Sequence, residues 1–116
     1  MFAGVLTATV QQGRLDEGSR FVGQLYDEVV LPFLRESPGY RGAITLFDRR
    51  LGTVTGVVVY ETETDARYLD QGGAAWVALF ARIGPERERA LIGFLTEPIH
   101  RRVQALIALD LPERAD

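Results

Sequence analysis

The chain has 116 residues, 47% of them apolar and 25% charged, and a formal net charge of -3. That is the size of one domain with one modest core and an ordinary globular composition, which excludes both a multidomain chain and a disordered one. All thirteen basic residues are Arg and none cluster, so the electrostatic footprint of a nucleic-acid binder is missing, and with no Cys there is no disulfide, thiolate nucleophile or Cys-held metal.

The apolar start, Met1 to Val10, has neither the basic region nor the length of a signal peptide, and no apolar run approaches a membrane span. A cytoplasmic protein without membrane or nucleic-acid partners is expected. One domain over residues 1–111 is expected, with 112–116 as a C-terminal tail ended by frayed polar residues.

Phe2 to Val10 mixes small, β-branched and apolar residues before a Gln-Gln-Gly turn, the pattern of a strand. From Asp16 the period changes: Val22, Leu25, Tyr26, Val29 and Phe33 recur at three- and four-residue spacing, which predicts an amphipathic helix with acids at its start. Pro32 lies inside that pattern, lacks an N–H and clashes with the carbonyl of Glu28, so a bend is expected before Pro38-Gly39 stops the helix.

Two strands follow, Gly42 to Asp48 and Thr53 to Glu61, joined at Arg49-Arg50-Leu51-Gly52 as a hairpin. A second helix is expected from a cap at Thr62 to Asp65, running past Gly72-Gly73 to Phe80, with the glycine pair as the place of an interruption if there is one, and a further one from Gly84-Pro85 to Leu95. Arg102 to Leu109 reads as the last strand. The order β-α-β-β-α-α-β is that of an α+β, ferredoxin-like split βαβ fold, with helices on one face of a four-stranded antiparallel sheet.

Helices cover one face only, yet Val54, Val58 and Tyr60 alternate with Val57 and Val59, and the last strand sets Val103, Ala105, Ile107 and Leu109 against Leu106 and Ala108. An exposed apolar sheet face forgoes roughly 1.5–3 kcal/mol per large side chain. A second copy packed sheet on sheet is the expected cover, giving a two-fold homodimer.

The residues Val30-Leu31-Pro32-Phe33, Ser37-Pro38-Gly39-Tyr40-Arg41-Gly42, Leu46-Phe47-Asp48-Arg49, and Tyr60-Glu61-Thr62-Glu63-Thr64-Asp65-Ala66 resemble the antibiotic biosynthesis monooxygenase (ABM) type of the dimeric α/β barrel superfamily. The resemblance implies a ligand cleft between helices and sheet in each protomer, and activities from cofactor-free oxidation of phenols and hydroquinones to haem degradation. The haem-degrading branch resembles an Asn, Trp and His constellation, but this chain has no Asn and its single His lies after the last helix.

Cofactor-free oxygenation of a hydrophobic phenolic or quinol compound needs an apolar wall, a hydrogen-bonding group and a base. The candidates are Trp76, with Phe80 one turn later, as wall and indole N–H donor; Tyr60 as a hydroxyl donor; and His100, the only side chain of a type that titrates near neutrality, as base. Tyr26 and Tyr40 are weaker candidates. Arg67 and Arg102 are candidate anion holders, although Arg67 has Glu63 and Asp70 at helical pairing distance.

No cofactor and no metal are expected: there is no glycine fingerprint behind a strand, no metal-ligand spacing and no triad around Ser19 or Ser37. The partners expected are a second copy of the chain and a hydrophobic aromatic small molecule. The alternative left open by the residues is a non-catalytic small-molecule-binding or assembly module on the same fold.

Overall fold

A computed structural model describes residues 1–70 and 72–108. Four strands, β1 (Phe2–Thr9), β2 (Tyr40–Asp48), β3 (Thr53–Tyr60) and β4 (His100–Ala105), form one antiparallel sheet in the order β2-β3-β1-β4. Helices α1 (Leu15–Leu25), α2 (Leu31–Arg35), α3 (Glu63–Ala66), α4 (Ala74–Ile83) and α5 (Pro85–Phe94) complete the α+β, ferredoxin-like architecture. The core lies between them: Val22, Leu25 and Leu34 from the first helical segment and Leu79 and Leu91 from the last two meet Val54 and Val58 of β3.

The expected bend at Pro32 takes the form of a widened turn. Between α1 and α2, Tyr26–Val30 is a π-helical segment, and the Leu31 N–H reaches back five residues to the Tyr26 carbonyl. One extra residue in the turn changes the alignment of the ladder just where Pro32 can neither donate nor approach the carbonyl four residues behind it. Tyr26 thereby heads the bulge.

The helix stop is enforced sterically. Gly39 has φ +73°, and a Cβ there would come within 2.1 Å of the Asp65 carboxylate, so any other residue would displace the start of α3. The hairpin tip is tied by Asp48, whose Oδ1 accepts from the N–H groups of Arg50 at 2.9 Å and Leu51 at 3.0 Å. Thr62 caps α3 as expected, its hydroxyl accepting from the Asp65 N–H at 3.0 Å.

Two elements differ from the simplest reading. The second helix is interrupted at the glycine pair, the place the sequence offered for a break: α3 passes into a 3-10 turn, Arg67–Leu69, and α4 begins afresh after Gly73. Two adjacent glycines carry the highest backbone-entropy cost and favour an extended link over helix.

The last strand starts two residues earlier and stops at Ala105, because its partner β1 runs only from Thr7, opposite His100, to Phe2, opposite Ala105. Its open-face residues are therefore His100, Arg102 and Gln104, and the apolar part of that face is confined to β1, β3 and β2. There Ile44 and Leu46 are 50% and 55% exposed. Leu109 and the expected tail, Pro112 to Asp116, lie outside the described residues.

Candidate functional site

On the helix-covered face, Gly56 leaves a gap in β3 into which the first helical segment lowers the Tyr26 ring. A Cβ on Gly56 would stand 3.0 Å from that ring and its hydroxyl. Beside the ring is a cavity of about 70 Å³, walled by Leu6 and Val54 from the sheet, Tyr26, and Trp76 and Phe80 from α4. Among its lining residues only Tyr26 and Trp76 carry polar side-chain atoms, so the space is dry and aromatic.

The Tyr26 hydroxyl is buried and has no hydrogen-bond partner among the described residues. Burial pushes its pKa up, with a smaller opposing contribution from the nearby Thr45 hydroxyl, which lies outside hydrogen-bonding geometry. Tyr26 is thus a neutral phenol at physiological pH, able to donate or accept but not to act as a base.

Trp76 and Phe80 stand one helical turn apart with ring centroids 4.9 Å apart and planes tilted by 43°. Together with Leu91 and Ile99 they also wall a second, open space of about 710 Å³ between α4 and α5. The pair partitions a small inner cavity from a wide vestibule, whose remaining wall includes Val77, Ile92, Glu88 and Glu97.

The three candidates of the sequence stand in three separate places. Trp76 lines both spaces. Tyr60 is 1% exposed on the helix face of β3, four residues and roughly 13 Å of strand beyond Gly56. Its hydroxyl lies 3.2 Å from Ser37 Oγ, burial raises its pKa, and the Ser37 hydrogen bond and the charge of Arg101 pull it back. His100 opens β4 on the uncovered face, with a side chain 71% exposed and Nε2 3.7 Å from Glu97 Oε1. Tyr40 is half-buried on β2.

Arg67 pairs with Glu63 at 3.0 Å on the helix surface, and Arg102 is exposed on the open face. The buried cation is their neighbour Arg101, whose side chain is only 5% exposed. Its Nη1 donates to Asp70 at 2.7 Å and its Nη2 to the Ala66 carbonyl at 2.5 Å, while Nε has no partner among the described residues. Burial lowers its pKa and Asp70 opposes that.

Arg101 and Tyr60 share a void of about 10 Å³, the scale of a single water. The signal for Arg101 was its place two residues before Val103 on the same face, legible only once the strand is started at His100. Among the described residues no group of His, Asp and Glu has the arrangement of a metal site, and no helix is long and apolar enough to cross a membrane.

No protein-family model and no curated protein matches the chain. Solved structures do. The chain is similar to a dimeric ferredoxin-like protein from an uncultured marine organism, with a TM-score of 0.65 and 11% identity over 97% of this chain and 92% of that one. It is similar over the same shares to the monooxygenase from the gene ActVA-Orf6 of Streptomyces coelicolor, solved in complex with the ligand nanaomycin D, with a TM-score of 0.62 and 21% identity.

A Nitrosomonas europaea protein assigned as an antibiotic biosynthesis monooxygenase gives a TM-score of 0.57 at 14% identity, over 93% of this chain and all of that one. The class defined by the structure is the ferredoxin-like α+β fold. Within it, the chain has the fold of the ABM-type structures, as the sequence resemblance implied.

Proposed function

We propose that the protein is a homodimer, packed through its open sheet faces, that binds a hydrophobic aromatic small molecule beneath α4 and oxidises a phenolic or quinol compound without a cofactor. The observation that carries the ligand site is the aromatic, apolar cavity that adjoins an open vestibule across Trp76 and Phe80. A fold shared with a monooxygenase solved with the ligand nanaomycin D bound supports the oxidation. The half-exposed Ile44 and Leu46 on the open face, and the dimeric relative, support the assembly.

The chemistry balances without a reductant. A phenol with a free ring position takes one oxygen atom of O2 as a new carbonyl, and the other atom leaves as water with two substrate hydrogens, yielding a quinone. The substrate supplies every electron. The chain's contribution is to hold the ring against Trp76 and Phe80 and to keep bulk water from the reactive carbon.

One observation favours the binding-only alternative: no group that ionises near neutrality lines the inner cavity. Oxygen uptake with a panel of phenols and hydroquinones separates the two. The expected result is protein-dependent uptake that falls at least about tenfold in Trp76→Ala. Absent uptake together with saturable quenching of Trp76 fluorescence leaves the binding module, and a monomer mass by light scattering removes the dimer.

A further inference from the structure

The inner cavity, about 70 Å³, is smaller than the roughly 150 Å³ that accommodates benzene in a protein interior. Even a one-ring ligand bound beneath α4 therefore extends beyond the inner cavity into the vestibule, against Trp76 and Phe80. Ligand selection is then set by the polar groups of the vestibule, not by those of the core.

Those groups have one sign. The vestibule contains Glu88 and Glu97 and no cationic side chain among its lining residues. Glu97 is already engaged, 3.2 Å from the Thr9 hydroxyl and 3.7 Å from His100.

Glu88 is not. It sits in the first turn of α5, where its N–H bonds the Gly84 carbonyl at 3.0 Å, and it is half-buried beside Leu91 and Ile92. Its carboxylate has neither an ion pair nor a hydrogen bond among the described residues. A carboxylate beside an apolar wall, with no cationic side chain among the lining residues to offset it, gives the vestibule a net negative field toward an incoming charge.

We propose that the vestibule between α4 and α5 is the outer subsite of the ligand compartment, and that Glu88 makes it select cationic and neutral aromatic ligands over anionic ones. Its carboxylate accepts a hydrogen bond from an ammonium or phenolic O–H of the ligand and repels a ligand carboxylate. This rests on the compartment being a ligand site, as proposed above.

The test is a matched series of para-substituted phenols, tyramine, ethylphenol and hydroxyphenylacetate, titrated against the fluorescence of Trp76, the chain's single tryptophan, at low salt. Tyramine is expected to bind about tenfold more tightly than hydroxyphenylacetate, with ethylphenol between them and the spread narrowing as salt is added. Glu88→Gln is expected to bring the two charged probes within about twofold of each other while ethylphenol stays within about threefold of its original affinity.

Equal affinities in the unaltered protein, or a preference that survives Glu88→Gln, overturn the role of Glu88 while ethylphenol binding still supports the compartment. If no probe quenches Trp76, both the compartment and the selectivity fall.

Discussion

The helix-covered face of the sheet has two ends built on opposite plans. Around Tyr60, Ser37, Arg101 and Asp70 the polar atoms meet one another, the space left is about 10 Å³, and the side chains tie α2, α3 and the 3-10 turn to the strands. Around Gly56, Tyr26, Trp76 and Phe80 almost nothing polar meets anything, and an unfilled space adjoins a vestibule. A packed polar end holds the fold and an unfilled aromatic end can take a ligand. Substitutions at the first should move stability without selectivity, and those at the second the reverse.

The largest stability effect is expected from Arg101→Ala. It removes a side chain almost wholly withdrawn from water, frees the Ala66 carbonyl and leaves Asp70 without its 2.7 Å partner. Asp70 is itself about half exposed, so the loss stays below that of a fully buried pair, at about 2–3 kcal/mol. Urea denaturation measures it. A loss under about 0.5 kcal/mol would mean that the polar end is not what secures α3.

A smaller effect is expected from Tyr60→Phe, which keeps the ring and removes the contact with Ser37: about 1 kcal/mol, with unchanged ligand quenching of Trp76. The pH dependence sharpens the point. Burial holds the Tyr60 pKa above its ordinary value, so the folded state keeps a proton that the unfolded chain releases. That contribution is complete below about pH 10 and is lost as pH rises through the folded pKa. Alkaline destabilisation should be shallower in Tyr60→Phe than in the unaltered protein, with Tyr26, raised for the same reason, supplying what remains.

The two ends were not equally legible in the sequence. Strand order, hairpin and helix stop followed from Pro38-Gly39, the Asp48 to Gly52 turn and the Thr62 cap, because these signals act over a few residues. Trp76 was legible as an aromatic on an amphipathic helix. Arg101 was not: it lies before the expected strand start at Arg102, and only the register with β1, which carries the strand back to His100, puts it on the face of Val103. Tyr26 read as part of an apolar stripe and only a weaker hydroxyl candidate, since its prominence depends on the absence of a Cβ at Gly56, thirty residues away and across the core.

The smallest effect is expected where the sequence pointed most plainly to chemistry. His100 is exposed, pairs loosely with Glu97 and lies on the face of β4 opposite Arg101, away from the wall formed by Trp76 and Phe80. His100→Ala should change stability by less than about 0.5 kcal/mol and leave any oxygen uptake within about twofold of the original rate. Measured beside Trp76→Ala on the same substrates, it decides how far the reactive space extends. A collapse of uptake with His100→Ala and intact folding would carry the site around the end of β4 through Glu97, and the division between a holding end and a binding end would have to be redrawn to include the edge of the open face.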